Sequence, residues 1–164
     1  MMPGLGWVLL AGAIVLAIAT AVLVRRMRHL TCGTQFPQAK KDFHAQREYL
    51  EARFVELTGA SGKPRGLAWE ECDFDDDVAY ARDRHTDALS ALVAVTVRFS
   101  AIEGGGMEDV EAVDNLRAAT AVFHWKEGRW TTEGRVLFNM NPSEAIRYYE
   151  ADLEMVDEEV ARPV

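Results

Sequence analysis

Residues 5–24 read LGWVLLAGAIVLAIATAVLV, an unbroken run without a charge. As a helix rising about 1.5 Å per residue it would span roughly 30 Å, the thickness of a bilayer's hydrocarbon core. A helix also satisfies its own backbone in lipid. Trp7 stands near one end, where an indole prefers the interface. A cleaved signal peptide is the alternative, but it would carry a basic segment before a shorter apolar stretch. Here the basic residues Arg25, Arg26 and Arg28 come after the run. The run therefore predicts a retained single-pass anchor, Leu5–Val24, within a first segment 1–30. Basic residues beside a span tend to stay in the cytoplasm, which places the rest of the chain on that side. Cys32 lies too far beyond the run for a lipidated cysteine. Ala13, Ala17 and Ala21 have the spacing of a close helix contact, although alanine is an ordinary filler of such helices.

Charge separates this segment from the remainder of the chain. The whole chain has a formal net charge of −8, and all 26 acidic residues lie after residue 30. Such a domain repels nucleic acid, which needs clustered Lys and Arg, and does not adhere to anionic lipid. The only cysteines, Cys32 and Cys72, form neither a disulfide framework nor a CxxC motif.

Segment 31–66 holds an amphipathic helix and a linker. Ala39, Phe43, Gln46, Leu50, Phe54 and Leu57 form a stripe, with Gly59 as C-cap and 59–66 as a turn or linker. Over 67–140 the period changes to two. LAWEECDF and DVAYARD read as two strands. The clearest strand comes next, with Leu89, Ala91, Val93, Val95, Val97 and Phe99 on one face. ATAVFHWKEGRWTTEGRVLFNM predicts a hairpin turning at Glu127-Gly128, pairing Trp125 with Trp130, Phe123 with Thr132 and Ala121 with Gly134. In 141–164, Asn141, Pro142 and Glu144 open a C-terminal helix whose stripe is Ile146, Tyr149, Leu153 and Val156, ending in an acidic tail.

The fold class is α+β: an anchor, a helix, an antiparallel meander of about five strands with helices on one face, and a C-terminal helix. Over Pro37–Val156 this arrangement is similar to the cystatin-like and NTF2-like folds, in which a helix lies across a curved sheet. That likeness is one of architecture and implies no residue roles.

Gly104, Gly105 and Gly106, with Met107 and Glu108 next in the chain, raise the question of a phosphate loop. GK[ST] and GxGxxG are both absent, and Glu103, Glu108, Asp109 and Glu111 would repel phosphate. The stretch reads as a long flexible connection, with a partner-binding loop as its functional alternative. Asp73, Asp75 and Asp77 alternate like calcium ligands, but Val78 and Arg84 stand where an EF-hand needs Gly and Glu. They read as a solvated turn. The four histidines lack metal spacing, so no metal and no cofactor is expected. His124, opposite in parity to Trp125, reads as exposed. Trp69, Asp73, Tyr80, Trp125 and Trp130 would line an apolar pocket under the sheet if it were hollow, with a carboxyl of raised pKa as acid or base. The simpler expectation is that the aromatics fill the core.

The leading expectation is a non-catalytic, membrane-anchored binding or scaffolding protein. It meets the membrane through Leu5–Val24 and a protein partner or a second copy through its domain, and has no nucleic-acid partner. The alternative is a small cone-shaped enzyme or small-molecule binder.

Overall fold

The computed structural model describes residues 4–61, 66–110, 113 and 115–160, with side chains for 12–20 and for those from Phe36 onward. Residues 62–65 of the linker 59–66, Glu111 and the last residues of the acidic tail lie outside what is described, as do the side chains of Trp7, Ala21, Arg25–His29 and Cys32. The chain divides into two units, Met1–Pro37 and Gln38–Val164.

The expected anchor and amphipathic helix belong to one helical run, α1 (Gly4–Ala60), with Pro37 inside it. Proline lacks the amide that would bond back to residue 33, so the helix passes through it one hydrogen bond short. In the first unit, residues 12–20 have exposed side chains, and Thr20 donates to the Leu16 carbonyl, the ordinary solution for a hydroxyl in an apolar helix. Among the described residues no helix is long and apolar enough to cross a membrane. Only Gly12–Thr20 of the stretch Leu5–Val24 have described side chains.

In the second unit the stripe of α1 is as the periodicity predicts: Ala39, Phe43, Leu50 and Phe54 are buried. The helix runs one residue past Gly59. It lies on a five-stranded antiparallel sheet of β1 (Leu67–Asp83), β2 (Leu89–Ala101), β3 (Arg117–Lys126), β4 (Arg129–Phe138) and β5 (Leu153–Glu159), in the order β4-β3-β2-β1-β5. A short helix, α2 (Pro142–Tyr148), precedes β5.

The meander differs from expectation in two places. LAWEECDF and DVAYARD are one strand, not two. Asp75, Asp76 and Asp77 form a bulge between the pairs Phe74–Val95 and Val78–Val93, so the expected turn is a kink inside β1. Arg47 of α1 holds this bulge, donating to the Asp75 carbonyl and lying 3.4 Å from Asp76. The hairpin pairs Trp125 with Trp130 and Phe123 with Thr132, but Ala121 meets Val136 rather than Gly134, because a bulge intervenes between Val122 and Phe123. Both turn residues have positive φ, Glu127 at 53° and Gly128 at 77°, the type I′ geometry that matches strand twist.

The C-terminal helix is also shorter than its stripe. The capping box forms as the sequence predicts, with Glu144 N–H donating to the Asn141 side chain and Asn141 N–H to Glu144. The helix then ends at Tyr148, and Leu153–Glu159 becomes a strand paired with Val78–Asp83. Without it that half of β1 would leave a row of amides and carbonyls unpaired beside the core. Helices therefore meet both sheet faces rather than one. α1 covers the odd-numbered side of β2, and α2 packs Ala145 and Ile146 on Ala79, Ala81 and Leu92.

Candidate functional site

The middle of the face under α1 is packed with aromatic rings. Phe43 sits at its centre, edge-on to Trp130 at 5.0 Å, Phe123 at 5.6 Å and Tyr80 at 6.0 Å between ring centroids. Phe54 continues the cluster to Phe74 at 5.6 Å. The Trp130 indole N–H donates to the Ala39 carbonyl at 2.7 Å, which ties β4 to α1. Of the five residues expected to line a pocket, Trp130 meets Tyr80 at 6.4 Å and Trp125 at 5.4 Å between ring centroids, and Phe43 packs on Tyr80 and Trp130. Trp69 stands elsewhere, against Phe99 and Phe138, and Asp73 is exposed.

Tyr80 reaches one polar cluster. Its hydroxyl donates to Glu159 at 3.2 Å, and His44 Nε2 lies 2.9 Å from the same carboxylate. Lys40 donates to Asp157 at 2.6 Å and to Glu159 at 2.8 Å, and its ammonium stands 5.5 Å from the Tyr80 ring. Burial, with the Glu159 charge, pushes the Tyr80 phenol up. The Lys40 bond holds Asp157 low. Glu159 is also held low, by Lys40 and His44 against the opposing effect of burial. Every member is engaged, so the cluster is a latch between α1 and β5 rather than an open site.

The glycine loop answers the phosphate question by its own chemistry. Gly104 N–H donates to the Glu108 carboxylate at 2.5 Å. The amides of Glu108 itself, Gly104, Met107 and Gly106 together hold that carboxyl below its usual range. The amide nest exists, but this chain's own anion fills it. Gly105 N–H donates to the Ile102 carbonyl at 2.8 Å, so the connection is a defined turn rather than a slack tether.

The opposite sheet face also carries an open groove. A groove of about 360 Å³ runs beside α2, lined by Ser90, Leu92, Val122, His124, Arg135, Leu137, Tyr149, Leu153 and the ends of Asp83 and Asp152. Strand parity places Ser90, His124 and Arg135 there. Ser90 pairs with His124 across the sheet, and its hydroxyl lies 3.0 Å from His124 Nδ1. His124 is half-buried rather than exposed. Burial first, then the charges of Lys126 and Arg135, hold its imidazole below its ordinary value, with Glu133 opposing. Tyr149, at the end of α2, brings its ring to 6.0 Å from the Arg135 guanidinium.

Sequence reasoning missed this groove. The parity of Ser90, His124 and Arg135 was readable, but the wall from Tyr149 to Leu153 depends on β5, which the helical stripe concealed. Burial first, then Asp73 and Glu51, pushes the Cys72 thiol up to about 12, which keeps it protonated near neutral pH. Among the described residues no three His, Cys, Asp or Glu side chains are placed to hold a metal ion. No family model, curated protein or solved structure matches the chain.

Proposed function

We propose that this chain is a single-pass membrane-tethered binding protein, anchored by Leu5–Val24. Its acidic α+β domain is held on the cytoplasmic side by Arg25, Arg26 and Arg28 and docks a protein partner. Its frame is a helix across a sheet, in the manner of the cystatin-like and NTF2-like folds. The observation that carries the docking role is the glycine-loop end of the sheet. Ile102 at the end of β2, Val110 in the loop, Leu116 before β3 and Phe138 at the end of β4 are all exposed there. Apolar side chains gathered at one end of a small domain are the ordinary mark of an interaction surface. The loop Gly104–Glu108 lies in their midst with a defined shape, which supports its part in binding.

Two features favour binding over catalysis. Phe43 and its ring neighbours fill the middle of the aromatic face. The Ser90–His124 pair is not a triad, because the serine is buried and meets Nδ1, and no described carboxylate orients the other nitrogen.

The test is alkaline extraction of membranes from cells making the full chain with a C-terminal tag, then protease treatment of sealed vesicles of known sidedness. The chain should stay in the pellet, and its tag should be cut only where the cytoplasmic face is outward. Release into the supernatant refutes the tether. Docking is tested by placing a photocrosslinker at Leu116 and, as control, at Glu154. A specific adduct should form at Leu116 only, and equal labelling at both sites refutes a docking end.

A further inference from the structure

Net charge makes a lone cation conspicuous in this domain. Arg135 has the Tyr149 ring beside it and no hydrogen bond or ion pair with any described residue. The other large groove, about 480 Å³ between α1 and the hairpin, has two of its three cations paired, Arg53 with Glu56 and Lys126 with Glu133, while Arg129 there has no partner among the described residues. In the Ser90–His124 groove the acids are the groups already satisfied. Asp83 accepts from the amides of His85 and Thr86 at 2.9 and 2.7 Å, and Asp152 lies 3.3 Å from His85 Nε2. Asp83 stands on β1, three strands from Arg135 on β4, roughly 14 Å across the sheet at ordinary strand spacing. The cationic end is thus open and the acidic end closed.

Between the ends the floor is apolar, formed by Leu92, Val122 and Leu137. At the β3–β4 end, His124 has its Nδ1 fixed by Ser90, while its Nε2 has no partner among the described residues. A guanidinium with free donors, a second ring nitrogen in the same groove and an apolar floor match one ligand chemistry. The volume is within the range of small-molecule sites. We propose that this groove binds a small organic carboxylate with an apolar body, its carboxylate taken by Arg135 and His124 Nε2 and its body laid on Leu92, Val122 and Leu137. Tyr149 then closes over the guanidinium side. Such binding is independent of the membrane tether and the docking end, since every residue it uses lies on the other face of the sheet or in the turn into β5.

The experiment is calorimetric titration of the full chain in lipid nanodiscs, with empty nanodiscs as blank, using hexanoate, hexan-1-ol and hexylamine as matched probes. Hexanoate should bind saturably at one site, and the alcohol and the amine should bind more weakly by about tenfold or more, the usual worth of one charge-assisted hydrogen bond. Arg135→Gln should remove that preference, and Arg135→Lys should restore part of it, since an ammonium keeps the charge and loses the fork. Arg135 is exposed, so both variants should melt with the parent chain. In the unmodified protein, hexanoate should also shift the His124 ring signals in an NMR spectrum, a readout that needs no variant. Equal binding of alcohol and carboxylate, preference for the amine, or His124 signals unmoved at saturating hexanoate would overturn the proposal.

Discussion

At the scale of single residues, Gly134 shows how much one missing methyl can matter. It has φ +71°, and a Cβ there would stand 3.1 Å from Leu57 Cβ. The bulge in β4 brings the strand backbone against the end of α1, and only glycine fits both the conformation and the space. Gly134→Ala should cost about 1–3 kcal/mol in a denaturant titration, the usual range for strain of this kind. Gly105 is similarly placed: its added Cβ would meet the Ile102 carbonyl oxygen at 2.7 Å and Gly66 Cα at 2.8 Å. Its neighbours Gly104 and Gly106 have open space but φ of +78° and +75°. The sequence shows three glycines in a row, which reads as slackness. The structure needs Gly105 for space and Gly104 and Gly106 for their positive φ, which composition cannot disclose. His124 supplies a pH test at the same scale. Its folded pKa is lowered by burial, so the unfolded chain binds the proton more readily. Its contribution is complete above the unfolded value near 6.5 and is lost as pH falls toward the folded one. Stability should therefore drop more between pH 7.5 and 5.5 in the parent than in His124→Gln; equal losses would show that the imidazole stays hydrated.

Elements were legible where one local pattern and the tertiary fold agree. The stripe Ala39–Phe43–Leu50–Phe54, the strand Leu89–Phe99, the turn at Glu127-Gly128 and the capping box at Asn141 are all read from neighbours a few residues apart. The failures have the opposite character. β5 looks helical because Leu153 and Val156 continue the spacing of Ile146 and Tyr149, and only the vacant edge of β1 makes it a strand. The bulge of Asp75–Asp77 looks like a turn because three acids interrupt an apolar alternation, and only Arg47 from α1 shows what they serve. Core and latch should separate cleanly under mutation. Phe43→Ala removes the ring at the centre of the aromatic face and should cost about 3–5 kcal/mol. Lys40→Met breaks two ion pairs whose carboxylates are about a third exposed and should cost no more than about 1 kcal/mol after solvent screening. The latch also has a signed pH window. Asp157 and Glu159 are held low, so their share is present above ordinary carboxylate values and lost as pH falls through the folded ones. Lys40 is held high, despite the opposing effect of burial, so its share persists below 10.5 and fades only above it. Denaturant midpoints of parent and Lys40→Met should converge near pH 3; a gap unchanged there would mean that packing of the lysine stem, not its charge, is what the latch contributes.

At the scale of the molecule, the division at Pro37 makes a stronger demand than any single contact. The aromatic face, the latch and the α2 cluster all draw their partners from residues 38–160. The charge divides the same way, with every carboxylate after residue 30 and the uncharged run before it. A fragment beginning at Gln38 should therefore be monomeric, soluble without detergent and cooperative in thermal unfolding, with mixed helix and strand in its circular dichroism. It should keep the hexanoate affinity of the full chain. The full chain, by contrast, carries the exposed apolar side chains Ile14, Val15, Leu16 and Ile18 and should need lipid or detergent to stay dispersed. The two measurements test different things. A fragment that fails to fold would show that the first unit contributes to the core, whatever its relation to the membrane. A full chain that remains monomeric in plain buffer would remove the tether and leave the folded unit intact.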